Sequence, residues 1–411
     1  MEKSAGFVSD GDNRGFPAVF LLFSRIFVLL VNDMIMSMEN VNINAGILRS
    51  ALQIASRLLD HRTINPAFQL VELVANPSTL TLTAMNELIR FTIPLEAESD
   101  SRFSYYLEPS VLLNGLKELP SEMLVQLQFD ESTKLLKGRY SNGSFQLPFS
   151  TTCPSYPREP AFPDNETVTN TLSSDQLQAI CSLVKPYLKV DELRPVIHHA
   201  LFHFTAEGSE FVGVDGASLI RYKLNASAQP ARFLLPLPAV VFLVQLGIRT
   251  GQVDISIHGE YVRFTYDACV VICRVNNKLR FPDYNKMFAL QSTSTVYFDR
   301  NTIIGACNRS SVFSDPLDSL IHWSFDPGCS DPLSLRVNDL DRSVYAEEHV
   351  PCDYDGDRFK VMFNANTLIR CLRSIPTDTL SCRFTSECSP AFFESETEDA
   401  AISVLLMPMS A

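Results

Sequence analysis

The sequence predicts an α+β chain made of three tandem copies of one β-rich domain, each holding two helices and about eight strands. Three observations carry this. An amphipathic helical stretch recurs about every 127 residues, opening at Ala45, Ser173 and Asp299. Each recurrence is followed by the same series of strands, a second helical stretch and more strands. A chain of 411 residues holds three such domains comfortably, and a period this long marks repeated domains rather than a solenoid. The domains are expected at 41–160, 161–288 and 289–411, after an N-terminal extension at 1–40.

In the first copy, residues 45–59 place apolar side chains at i, i+3, i+4 and i+7, the pattern of a helix with one buried face. Residues 70–74 and 79–83 alternate as strands around the turn at Asn76, Pro77 and Ser78. The second helix runs over 110–119 and is stopped by Pro120. Strands follow at 124–129, 135–140 and 144–148. The second copy predicts a helix over 173–184, strands at 200–204 and 210–214, a helix at 239–246, and strands at 253–257, 262–266 and 268–275. The third predicts a helix over 299–309, strands at 320–325 and 333–337, a helix at 364–373 with Asn364 as its N-cap, and a strand at 401–407. Proline, aromatics and turn formers mark the joins at 154–165 and 280–288.

Hydrophobic content of 46% with 20% charged residues is that of a soluble globular chain. A net charge of -13 favours solubility and, taken alone, argues against nucleic acid. The ten cysteines are scattered without a CxxC pair, which points to a reduced, cytoplasmic protein. Cys269 and Cys273 lie in an apolar run and read as small buried thiols. Residues 16–31 are strongly apolar, but the run is short for a bilayer crossing and carries Arg25. Residues 1–37 read either as a non-functional extension or as a membrane-surface anchor.

Charge distribution says more than the total. The helical windows sum to a positive charge, so the rest of the chain is more acidic than the whole. The cations responsible are Arg49, Arg57, Arg62 and Lys117 in the first copy, Lys185, Lys189 and Arg249 in the second, and Arg300, Arg309, Arg370 and Arg373 in the third. Two readings stay open for them: solvated helix faces, or a surface that attracts phosphates.

No catalytic constellation is visible. Residues 353–357 resemble a calcium loop, yet the glycine comes two places early and Asn364 stands where the bidentate glutamate belongs, so a strand-joining turn is expected. His198 and His199 are adjacent in a strand and point to opposite faces. A P-loop, a nucleophile elbow and paired catalytic carboxylates are all absent from the sequence, so no cofactor or metal is expected. A multi-domain hydrolase would need converging acid–base or metal groups. A β-rich adhesion array would rarely carry two amphipathic helices per repeat.

Leu193 to Ile197 (LRPVI) leading into a strand, Val214-Asp215-Gly216, Phe281-Pro282-Asp283-Tyr284 and Met407-Pro408-Met409 occur in one order on the threefold repeat. Together they resemble the bacterial DNA polymerase III β subunit family, the sliding clamps, over residues 41–411. The resemblance implies a head-to-tail homodimer closing into a ring, with helices inside and sheets outside. Such a ring encircles duplex DNA without reading its sequence and tethers the replicative polymerase for processive replication, with no catalysis of its own. It implies that the eleven helix cations lie at or near the channel. It also implies a groove between the second and third domains that receives short motifs from the polymerase III α subunit, the clamp loader and other factors. The matching walls here are Ile197, Val214, Gly216, Leu219 and Pro282, then Met287, Leu405, Met407, Pro408 and Met409. Apolar, methionine-rich walls suit a site that accepts several peptides. Two departures stand out: Ala217-Ser218 replaces the family's basic pair, and Ser410-Ala411 follows Met409 where Arg-Leu is usual. Both thin the polar rim and point to a divergent or accessory clamp with an altered partner set.

Overall fold

The computed structural model describes residues 39–60, 62–248, 250–339, 342–397 and 399–409. The apolar segment at 16–31 and Arg249 lie outside them. The chain divides into two compact units: 39–84 with Ile93–Tyr156, and Met85–Thr92 with the chain from Pro157 onward.

In the first unit, helix α1 (Ala45–Ala55) starts where the Asn44 side chain accepts hydrogen bonds from the Gly46 and Ile47 amides. It ends at Ser56, earlier than its periodicity predicts, and Leu58 is buried from the following turns. Helix α2 (Ser110–Lys117) packs beside it, burying Leu112, Leu113 and Leu116. The strands run in the order Gly143–Pro148, Leu135–Tyr140, Leu124–Asp130, Glu39–Asn44 and then residues 93–99. Val71–Asn76 pairs with both Thr79–Met85 and Phe103–Leu107. Phe103, Tyr105, Phe129 and Phe149 close the core with ring centroids 4.6–5.2 Å apart.

The second unit runs through the same series twice. Helix α3 (Ser174–Val184) opens on a capping box between Ser173 and Gln176. Helix α4 (Leu237–Leu246) is apolar on most sides and stops at Gly247 in the left-handed conformation. A five-residue helix, α5 (Tyr284–Phe288), occupies the second join. Helix α6 (Arg300–Ser311) is capped by Asp299, and α7 (Ala365–Ser374) by Asn364, whose side chain accepts from the Thr367 amide at 3.0 Å.

One nine-stranded antiparallel sheet passes through both series. Its order is Ala231–Pro236, His199–Thr205, Gly208–Val214, Ser218–Leu224, Ala400–Leu406, Ala391–Glu396, Thr379–Phe384, Ser294–Asp299 and Asp353–Asp355. Ser218–Leu224 and Ala400–Leu406 are the seam, in register from Ser218 opposite Leu406 to Leu224 opposite Ala400. Residues 353–355, expected to be only a turn, pair instead with the Ser294–Asp299 strand, because that strand leaves an open edge there. A second sheet, in the order Val344–Val350, Leu333–Asp339, Leu320–Phe325 and Phe359–Asn364, carries the fully buried Trp323 in its third strand. Residues 89–92, Cys269–Arg274, Tyr261–Tyr266, Gln252–His258 and Val168–Ser173 form a further run of paired strands.

The join at 280–288 is no loose linker. Phe281 and Tyr284 pack into one core with Leu201, Leu219, Phe392 and Leu405, so residues from both series share that interior. All ten cysteines are free; Cys273 is buried and Cys269 half-buried. Among the described residues no helix is long and apolar enough to cross a membrane.

Phe392, fully buried at the seam opposite Leu405, should be a keystone of the second unit. Phe392→Ala should destabilise that unit by about 3–5 kcal/mol, read as a lower urea midpoint. An unchanged midpoint would show that the shared core contributes little.

Candidate functional site

The seam positions one concave site. Leu219 and Leu405 face each other in register and are both buried, forming its floor. Ile197 projects from the 3₁₀ turn Pro195–His198, held by its amide donating to Arg194 O at 3.1 Å and its carbonyl accepting from the Lys189 amide at 3.0 Å. Val214 ends its strand opposite Leu219. Pro282, Met287 and Met407 are exposed along the rim. The cavity measures about 520 Å³ and its walls are mainly apolar.

The turn Asp215–Ser218 forms one wall. The Asp215 amide donates to Ser218 O at 3.1 Å, and Asp215 Oδ1 accepts from the amides of Ala217 at 3.0 Å and Ser218 at 2.7 Å. Gly216 sits at φ +94, so the backbone conformation of the turn favours glycine there. The Met407 amide donates to Ala217 O at 2.8 Å, tying the turn to the end of the last strand.

Eight of the ten expected wall residues meet in this cavity. Pro408 and Met409 do not line it: the Met409 amide donates to Met362 O at 2.8 Å, which draws the chain end toward the Phe359–Asn364 strand. The cavity also takes Leu193 through Val196, Ala217, Ser218, Leu279 and Arg280. The signal for Leu193–Val196 was present, because they precede Ile197 in the motif; Leu279 and Arg280 immediately precede Phe281. The charged members of the lining are Arg194 and Arg280. Arg194 is held by Asp191 through Nε at 3.0 Å and Nη2 at 2.8 Å, and this contact keeps the Asp191 carboxyl below the usual carboxylate range.

The helix cations divide by what they touch. Arg370 is committed to the seam, with its guanidinium on Asp215, Ser218 and Pro186 O and 4.8 Å over the Tyr187 ring. Arg300 closes the C-terminus of α7, donating to Ile375 O at 2.7 Å and Arg373 O at 3.2 Å. Arg309 pairs with Glu348, and Arg49 donates to Leu119 O and to Ser121 Oγ. Lys117 and Arg373 are exposed on α2 and α7, whereas Arg57, Arg62 and Lys189, expected on helices, are exposed in the segments that follow α1 and α3 because those helices end at Ala55 and Val184; Lys185, in the 3₁₀ turn after α3, is half-buried. Arg373 also reaches Asn308 Oδ1 at 3.1 Å.

Among the described residues no group of three His, Cys, Asp or Glu side chains could hold a metal ion. His198 and His199 stand with ring centroids 5.7 Å apart, and burial lowers the pKa of both. The site offers an apolar cleft with a narrow polar border, suited to holding a side chain rather than to transferring a proton.

Residues 40–156 match the family model of the DNA polymerase III beta subunit N-terminal domain, and residues 285–410 that of its C-terminal domain. The two matches together take in more than half of the chain. The beta sliding clamp of Pseudomonas putida is 20% identical over 363 residues, covering 87% of this chain and 96% of the relative. That of Caulobacter vibrioides is 21% identical over 377 residues, covering 90% and 99%. A Bacillus subtilis DNA polymerase sliding clamp superposes with a TM-score of 0.83 at 17% identity, over 91% of this chain and 100% of the other. A Pseudomonas aeruginosa clamp bound to griselimycin gives 0.83 at 19% identity, over 91% and 100%. A C. crescentus clamp with PEG bound to a putative beta-motif tethering region gives 0.83 at 20% identity, over 92% and 100%. Matched by two models of one family and, over 91% of its length, by the fold, the chain belongs to the DNA polymerase III β subunit family, the non-catalytic sliding clamps of DNA replication, as a divergent member.

Proposed function

We propose that two copies of the chain, each of three domains at 41–160, 161–288 and 289–411, close head to tail into a ring around duplex DNA. The ring tethers the polymerase III α subunit, the clamp loader and other factors carrying short clamp-binding motifs. The observation that carries this reading is the apolar cavity of about 520 Å³ at the seam, walled by Ile197, Leu219, Leu405, Met287 and Met407. A cavity of that size takes one or two apolar anchors of an extended peptide, each contributing about 1.5–3 kcal/mol on burial. The relative with PEG bound to a putative beta-motif tethering region supports occupancy of such a site.

A topological hold needs no tight base contacts, and tight contacts would slow sliding. A net charge of -13 with cations gathered on helices is compatible with this, because phosphates are attracted there and repelled elsewhere. The exposed cations on and just beyond the helices are proposed to contact phosphates weakly and additively.

The rim favours an altered partner set within the same function. Ala217 and Ser218 bring no charge to the wall, so peptide side chains meet Arg194 and Arg280 instead. This suits motifs with acidic flanks and weakens those that rely on the family's basic pair.

Met287 and Met407 are both more than a third exposed, so replacing them should spare the fold. The double variant Met287→Glu/Met407→Glu should lower the affinity of a fluorescein-labelled clamp-binding peptide by about a hundredfold. Parent-like anisotropy titrations would remove the groove from the account.

On the DNA side, Arg62, Lys117, Lys189 and Arg373 changed together to Glu should shorten residence on primed circular DNA several-fold. Each single change should matter little, because exposed phosphate contacts are screened by salt. Normal residence of the quadruple variant would show that these cations do not meet DNA.

A further inference from the structure

We infer that Arg370, a residue of helix α7 outside the groove lining, is a positioning residue for peptide binding; this rests on the groove reading above. Its guanidinium reaches across the seam and holds the far side of the Asp215–Ser218 turn. Nη2 donates to Asp215 Oδ2 at 2.5 Å and to Ser218 Oγ at 2.7 Å, while Nη1 donates to Pro186 O at 2.9 Å. The two oxygens of Asp215 divide the work. Oδ1 shapes the turn by accepting the Ala217 and Ser218 amides, and Oδ2 is bound to Arg370. From the turn the chain of contacts continues through Ala217 O to the Met407 amide, and so to the rim of the cavity.

The burial of the pair gives this contact its strength. The Asp215 side chain is 12% exposed and that of Arg370 29%, so neither charge is well solvated without the other. Tyr187 stacks beneath the guanidinium, and its hydroxyl meets Ser374 Oγ at 2.9 Å within the same helix α7. The arm is therefore fixed at its base as well as at its tip. Ser218 occupies one of the two positions from which the family's basic pair is missing, and it accepts a hydrogen bond from Arg370. A cation is thus supplied to the turn from a helix of the next repeat, fixing the wall without entering the groove.

The test compares Arg370→Gln, Arg370→Lys and, as a control, Arg358→Gln, an exposed arginine paired with Asp326 away from the groove lining, with the parent full-length chain. The probe is a fluorescein-labelled short peptide carrying two apolar anchor side chains, and amide hydrogen exchange is followed in parallel. Arg370→Gln should weaken the peptide about tenfold, Arg370→Lys should recover part of that loss, and Arg358→Gln should behave as the parent. In Arg370→Gln, exchange should quicken at the Ala217, Ser218 and Met407 amides but not along the ladder between Leu219–Leu224 and Ala400–Leu405. Parent affinity in Arg370→Gln overturns the inference, and so does exchange that rises along the whole ladder, which would mark a general stability effect. Failure of the parent to bind the peptide would instead overturn the groove reading, while local exchange would still decide whether Arg370 holds the turn.

Discussion

The antiparallel pairing of Ser218–Leu224 with Ala400–Leu406 is the constraint on which the second unit depends. It brings together strands far apart in sequence, so its loop-closure cost must be offset by what the contact creates. What it creates is one continuous sheet and one shared interior, with Phe281 and Tyr284 from the join packed beneath Leu219 and Leu405. The groove is a by-product of that register. A slip by one residue would send Leu219 and Leu405 to the opposite face and remove the floor. Because the ladder is made of backbone bonds, side chains along it can change widely while the geometry persists. That accounts for a fold kept at 17–21% identity.

Much of this was legible in the sequence wherever periodicity was strong. The helices of each repeat were, because their buried faces are regular and their caps explicit, as with Asn364. Strands with a broken pattern were not. Ile89–Ser99 is interrupted by Pro94, and Val344–Val350 puts two glutamates and a histidine among its apolar residues. Ser218–Leu224 escaped notice because it needs a partner from the next repeat, which local patterning cannot supply. The join at 280–288 reads as a turn-rich linker, yet its aromatics serve as core.

The site divided in the same way. Apolar walls announce themselves through composition and motif, and most of the expected ones meet. Arg370 could not be read from the sequence: an arginine on an amphipathic helix looks like a solvated cation, and its partner Asp215 lies 155 residues away. Arg300 and Arg49 are similar, spent on closing carbonyls of neighbouring segments. Some of the guanidiniums that read as solvated helix cations are thus committed to assembling the fold. An exposed pair such as Arg309 with Glu348 contributes little to stability, so it costs little to exchange for another anion.

The central claim is a topological hold on DNA, and retention on circular against linear DNA tests it most directly. The chain would be loaded by its cognate loader onto nicked circular DNA, passed over a sizing column in high salt, and the DNA then linearised. Encirclement predicts that the protein stays with the circle through the salt and leaves once an end is opened. Equal retention on both forms would mean ordinary binding, and loss from the circle in salt would mean that the ring does not close; either result would contradict the account.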